Sequence, residues 1–162
     1  MDKKLWGYVR RFTLVHVMVY WIVGSVLYQI AGYEEAMATM EVFEHYRPLE
    51  SFTMVVVVFL GQIIRGGILA LVVYPFCQVF MKNRHGWLLL FGLLFGLKVL
   101  GSPIFISEFL APVESMAEFL NSLKIGVLEI IAQVFVFSII FFVWERKSGV
   151  VKVEFFPASY DQ

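Results

Sequence analysis

The sequence predicts an all-α, polytopic membrane protein, with one transmembrane domain over residues 1–162 built as a four-transmembrane-helix bundle. Three observations predict this class. Hydrophobic residues make up 60% of the chain, against about 45–50% in soluble domains, and a domain of this size exposes too much surface to hide that excess in a soluble core. The apolar residues fall in four long runs. The segments between the runs alternate between basic and acidic composition. A lipid bilayer is therefore the predicted surrounding of the chain.

Each apolar run is predicted to form one helix. The runs cover residues 9–32, 52–81, 87–109 and 117–144, followed by a tail at 145–162. Each run reaches the ~20 residues that a helix needs to cross a ~30 Å hydrocarbon core. None alternates as barrel strands do, and helices satisfy their own backbone hydrogen bonds in lipid.

Two of the runs carry local features that refine the prediction. The first follows Lys3 and Lys4, as a signal peptide would, but it is longer than the ~7–15 apolar residues of such a peptide and no small-residue cleavage site follows it. We therefore predict that it is a retained helix. The second run contains Gly66, Gly67 and Pro75, which are residues at which a membrane helix bends or unwinds.

The placement of lysine and arginine predicts the orientation. Basic residues lie before the first helix, between the second and third, and after the fourth: Lys3, Lys4, Arg10, Arg11, Lys82, Arg84, Arg146, Lys147 and Lys152. The other two connections are rich in glutamate. Four crossings bring all the basic segments to one side, which the positive-inside rule makes cytoplasmic. We predict a multi-pass protein of the bacterial inner (plasma) membrane with both termini in the cytoplasm.

The composition and the absence of known motifs limit the classes of function that are expected. The formal net charge is +0, which gives no indication of a nucleic-acid partner. Cys77 is the single cysteine, so neither an intrachain disulfide nor a cysteine-based metal site is expected. The only aspartates, Asp2 and Asp161, are terminal, which excludes a two-aspartate intramembrane protease. No nucleotide loop or hydrolase motif occurs. No cofactor, metal site or catalytic residue is predicted, and the balance is against an enzyme.

Three ionisable residues fall near the middle of predicted helices and form the core of a candidate binding site. They are Arg65, Lys98 and Glu129, one in each of the last three runs. Each such charge costs ~2.5–3.5 kcal/mol on an insertion scale. Because hydrocarbon cannot pair a charge, we expect the three side chains to converge, with Glu129 paired to Arg65, to Lys98 or to both.

Helical spacing adds three polar residues to this set. Gln62 shares a face with Arg65, Gln133 shares a face with Glu129, and His16 lies in the inner third of the first helix. For His16 a hydrogen-bonded histidine of the bundle interior is the favoured interpretation. Two cations face one anion, so either Lys98 is neutral or a bound anion balances the charge. Arg65 is the natural anchor for a carboxylate or phosphate, so an anionic ligand or a lipid headgroup is a candidate partner.

Three functions remain open. The leading hypothesis is a small membrane protein that handles a small solute, ion or lipid through Arg65, Lys98 and Glu129. The second is a non-catalytic accessory or assembly subunit, in which the charges fix helix register or pair with a larger membrane partner. The third is an intramembrane enzyme acting on a lipid, for which no nucleophile is apparent. Gly92 and Gly96 form a small-xxx-small pattern opposite Lys98, which suggests packing of a homo-oligomer.

Overall fold

The computed structural model describes residues 3–30, 52–101 and 116–148, and all of its regular elements are helical. In chain order they are α1 (Lys3–Ile30), α2 (Phe52–Val73), a 3-10 turn (Tyr74–Phe76), α3 (Cys77–Lys82), α4 (Gly86–Leu100) and α5 (Met116–Ser148). The all-α prediction is therefore confirmed for the described part of the chain.

Three helical segments are long and apolar enough to cross a membrane, which indicates a membrane protein. They are Lys3–Ile30, the run Phe52–Lys82 through α2 and α3, and Val127–Ser148 within α5. The third predicted span, residues 87–109, corresponds to α4, a shorter apolar helix of 15 residues, or about 22 Å of helix. It ends at Leu100, where the Gly101 N–H bonds to the Leu97 carbonyl at 3.0 Å. The rest of the range predicted for it, residues 102–109, lies outside the described residues.

The helix ends differ from the predicted ones because packing extends α1 and α5, the first and last helices in the chain, beyond their apolar runs. Helix α1 begins at Lys3 rather than at residue 9, and Tyr8 is already buried. Helix α5 continues through Ser148, so residues 145–148, assigned to the tail, are helical and Glu145 is buried. Residues 31–32 and 149–162 lie outside the described part. Pro75, where a bend is predicted, lies in the 3-10 turn because it has no backbone N–H to donate.

The helices pack in a chain rather than a closed ring. Helix α1 packs against both α2 and α5, and α5 packs against α4. Gly66 allows the closest approach of α2 to α1, since a Cβ atom there would lie 3.0 Å from His16 Cδ2. Helices α2 and α4, which would complete a ring, barely touch, although the short α3 contacts α4 and α5. We call the space between α2 and α4 the α2–α4 gap.

One end of the assembly is the most densely packed. The charged residues Lys3, Lys4, Arg10, Lys82, Arg84, Arg146 and Lys147 lie there, and we call it the basic end. Tyr8 of α1 makes edge contacts with Tyr74 and with Phe141 of α5, at ring-centroid distances of 5.1 and 5.3 Å. Phe12 packs edge-on against Phe141 at 5.0 Å. Aromatic rings therefore fill the space between three helices at this end.

Candidate functional site

A chain of hydrogen bonds joins Lys98, in the last turn of α4 rather than in the middle of a helix as predicted, to the middle of α5. Lys98 Nζ donates to Gln133 Oε1 at 3.1 Å, and Gln133 Nε2 donates to Glu129 Oε1 at 2.7 Å. Glu129 and Gln133 are one helical turn apart, so they project from the same face of α5. That face lies against Gly24 of α1, where an added Cβ atom would be 3.6 Å from Gln133 Nε2. The glycine leaves room for the two polar side chains between the helices.

A second polar contact joins α1 to α2 at a similar level. His16 Nε2 lies 3.2 Å from Gln62 Oε1, and since an amide oxygen only accepts, His16 carries its proton on Nε2 in this contact. His16 is 4% exposed, so the pair is shielded by the packing of α1 on α2.

A small cavity connects the two polar contacts. Its volume is about 10 Å³, close to the minimum for one water molecule. All four long helices contribute to its walls, which are formed by Phe12, His16, Leu69, Leu94, Lys98, Val134 and Phe137. His16 and Lys98 are its two polar lining residues, so the cavity is where the His16–Gln62 pair and the Lys98–Gln133–Glu129 chain approach each other.

Arg65 occupies a different position from the other candidate residues, because its side chain is exposed. It lies close enough to Lys98 and to His16 to interact electrostatically with both. Its helical neighbours on one side are Gln62 and Leu69, which contact His16 and the cavity. Arg65 therefore stands on α2 at the rim of the α2–α4 gap, outside the cavity and one turn from its wall.

The six predicted site residues thus fall into three groups. Lys98, Gln133 and Glu129 form one hydrogen-bonded chain, in which Gln133 stands between the two charges where a direct ion pair was expected. His16 pairs with Gln62. Arg65 makes no hydrogen bond or ion pair with any residue that the structure describes.

An ion pair at the basic end was missed by sequence reasoning. Arg11 Nε and Nη2 donate to Glu145 Oε2 and Oε1, both at 2.9 Å, and the Glu145 side chain is fully buried. Sequence reasoning treated Arg11 as an interfacial cation and did not use Glu145. A signal was present: Val134, Phe141 and Glu145 recur at helical spacing on the buried face of α5.

The central arrangement can hold charge and exchange hydrogen bonds. Lys98 and Gln133 supply donors and Glu129 supplies an acceptor. Among the described residues, no group of three or more histidine, cysteine, aspartate or glutamate side chains is placed to hold a metal ion. The sequence matches no protein family model, and comparisons with curated proteins and with solved structures found no match.

Proposed function

We propose that this chain is a four-pass membrane protein that handles a small solute, ion or lipid through Arg65, Lys98 and Glu129. Gln133, Gln62 and His16 complete the site. The proposal includes transport as the activity and an oligomer as the working form, because four helices alone enclose little space.

The observation that supports this proposal is the Lys98–Gln133–Glu129 chain beside the cavity. Ionisable groups at mid-membrane depth are expensive and mark substrate or ion pathways in membrane proteins. A cavity of about 10 Å³ holds no solute larger than water, so a larger solute passes only when the helices separate.

The proposed topology places both termini in the cytoplasm of a bacterial cell. Lysine and arginine at the start of α1, after α3 and at the end of α5 support it. The proposed third crossing, residues 87–109, starts in α4 and needs residues beyond 101. Impermeant thiol reagents test this topology in a Cys77→Ser background, with single cysteines placed at Lys4 and Lys147. Labelling of either position from the periplasm of intact cells would contradict it.

The proposed oligomer uses the outer face of α4. Cβ atoms added at Gly92 and Gly96 would meet nothing within 4 Å in the described chain, so a second helix can approach there closely. Cross-linking of a Gly92→Cys variant into dimers within native membranes is the expected result. An equal yield from Leu100→Cys, at the exposed end of α4, would show that the cross-link reports random collision.

The activity is tested by flux in proteoliposomes. Protons, phosphate, chloride and a labelled phospholipid are assayed in parallel with the wild type, Lys98→Met and Glu129→Gln. Lys147→Gln serves as the matched control, because it removes an exposed charge from the basic end of α5. We expect at least one flux above that of empty liposomes that both central variants abolish and the control keeps. Absence of any such flux would contradict the proposal and leave an accessory role.

A further inference from the structure

Arg65 presents its charge at the outer surface of the helices. Its side chain is exposed, and no described carboxylate contacts it. Lys98 lies within electrostatic range on the other side of the α2–α4 gap, and Lys98 is itself only part-buried. Two cations therefore flank the gap. Since a charge exposed to hydrocarbon is costly, an anion between Arg65 and Lys98 would stabilise both.

The surroundings of Arg65 indicate the size and polarity of the anion that could bind there, as well as its charge. On its outer side the helical neighbours are Gly61 and Ile68; an added Cβ at Gly61 would meet nothing within 4 Å, and Ile68 is 57% exposed. On its inner side Leu69 leads to a cavity of about 10 Å³, which is too small for a phosphate group. An anion at Arg65 must therefore stay at the rim, with aliphatic surface next to it. The occupant that matches both features is amphipathic.

We propose that the α2–α4 gap binds an anionic phospholipid, with its phosphate between Arg65 and Lys98 and its acyl chains along the aliphatic surface of α2. The guanidinium group of Arg65 donates two parallel hydrogen bonds to the phosphate oxygens, and Lys98 contributes a point charge. Because helices α2 and α4 barely touch, the lipid enters sideways from the bilayer, and the two cations offset the cost of bringing its phosphate from the interface to mid-membrane depth. This inference rests on the proposed function and names the ligand of that same site.

The test is a lipid titration of the detergent-purified full chain, followed by native mass spectrometry. Phosphatidylglycerol is compared with phosphatidylcholine of identical acyl chains. The wild type is expected to bind phosphatidylglycerol about tenfold more tightly, and Arg65→Gln is expected to bind the two lipids equally. Arg65→Lys keeps the charge without the planar fork and should retain a reduced preference. The matched control is Arg10→Gln, since Arg10 is an exposed arginine at the basic end; it should keep the full preference.

The variants are expected to fold, because Arg65→Gln removes an exposed charge and so lowers the cost of membrane insertion. A preference that survives in Arg65→Gln, or that is lost equally in Arg10→Gln, would overturn the proposal. Displacement of phosphatidylglycerol by excess inorganic phosphate would also overturn it, by showing a site for a free anion. Each of these results leaves the proposed function standing if a flux still depends on Lys98 and Glu129. Loss of that flux with an intact lipid preference would instead refute the proposed function.

Discussion

The basic end and the centre of the molecule both place charges between helices, but they do so in opposite ways. At the basic end, Arg11 and Glu145 form an ion pair with two hydrogen bonds of 2.9 Å. Their side chains are 14% and 0% exposed. At the centre, a neutral amide separates Lys98 from Glu129, and Arg65 stays exposed. In the first region one cation is paired with one anion, whereas in the second the residues that the structure describes place two cations, Arg65 and Lys98, with one carboxylate, Glu129.

This difference predicts that stability and the proposed function depend on different regions of the chain. A bidentate buried pair has one good geometry, so it fixes α1 against α5. The aromatic rings of Tyr8, Phe12 and Phe141 fill the space next to it. The α2–α4 gap and the cavity weaken packing around the central residues. We therefore expect substitutions at the basic end to change the free energy of unfolding, and substitutions at the centre to change ligand binding.

The largest effect is expected from Glu145→Gln. It leaves the Arg11 guanidinium mostly buried without an anion, and breaking a buried pair in this way costs about 3–5 kcal/mol. The free energy of unfolding, measured by reversible unfolding in mixed detergent micelles, should fall by that amount. Lys147→Gln, on an exposed position nearby, should change it by less than about 0.5 kcal/mol.

The double variant Arg11→Met with Glu145→Leu sharpens this result. Replacing both members of a buried pair by apolar residues of similar volume is often neutral or stabilising, so stability should return close to that of the wild type. If the double variant is as unstable as Glu145→Gln, the loss comes from packing of the side chains and the ion pair is not its cause.

The next effect is expected at the start of α4, from Gly86→Ala. A Cβ atom there would collide with the Phe80 carbonyl and lie 2.9 Å from Phe142 Cε2. Since the obstacle is backbone, we expect a loss of about 3 kcal/mol. Gly67→Ala in α2 is the control, with nothing within 4 Å of the added atom and no place in the proposed oligomer face; it should gain up to about 1 kcal/mol from helix propensity. Equal effects in the two variants would contradict the packing described for the basic end.

A smaller effect is expected where α1 and α2 cross. In Gly66→Ala the new methyl group would lie 3.0 Å from His16 Cδ2 and 3.3 Å from Thr13 Cα, so the helices must move apart slightly, at a cost of about 1–2 kcal/mol. Gly67→Ala, one residue on, meets nothing within 4 Å and should not destabilise. The two variants are compared by thermal unfolding in detergent. A destabilised Gly67→Ala with an unaffected Gly66→Ala would show that another face of α2 packs on α1.

Composition and spacing predict the helices well because membrane insertion depends on summed apolar content over a whole segment. They do not predict where a helix ends, because ends depend on single contacts. Helix α4 ends at Leu100, inside an apolar run, and burial of Glu145 extends α5 past its run.

For the candidate site too, the sequence predicts features within one helix but not contacts between helices. Spacing indicates that Glu129 and Gln133 share a face of α5, which follows from one helix alone. Which residue meets which depends on the order of the helices. Because α1 lies between α2 and α5, His16 meets Gln62, whereas Arg65 is left at the rim of the gap. The Arg11–Glu145 pair was not predicted for a related reason. In the sequence, charges near helix ends look like interfacial residues, and only the packing of the helices shows that they are buried.

The smallest change in stability, and the sharpest test of the contrast, is expected from Gln133→Leu. It removes both bonds of the Lys98–Gln133–Glu129 chain, yet hydrogen bonds between membrane helices contribute on average only about 0.6 kcal/mol each. The affinity for a ligand should fall by about tenfold. Gln133 holds Lys98 and Glu129 in position, and a hydrogen bond to a charged group contributes about 1.5–3 kcal/mol. The control is Ser138→Ala, which removes a fully buried hydroxyl of α5 that has no described partner; it should raise stability slightly, because a buried unpaired hydroxyl is costly, and should leave ligand binding unchanged. Unfolding and flux are measured on the same preparations. Gln133→Leu should not be as unstable as Glu145→Gln while keeping its flux. That result would show that the centre stabilises the fold and would contradict the assignment of stability to the basic end and of ligand binding to the centre.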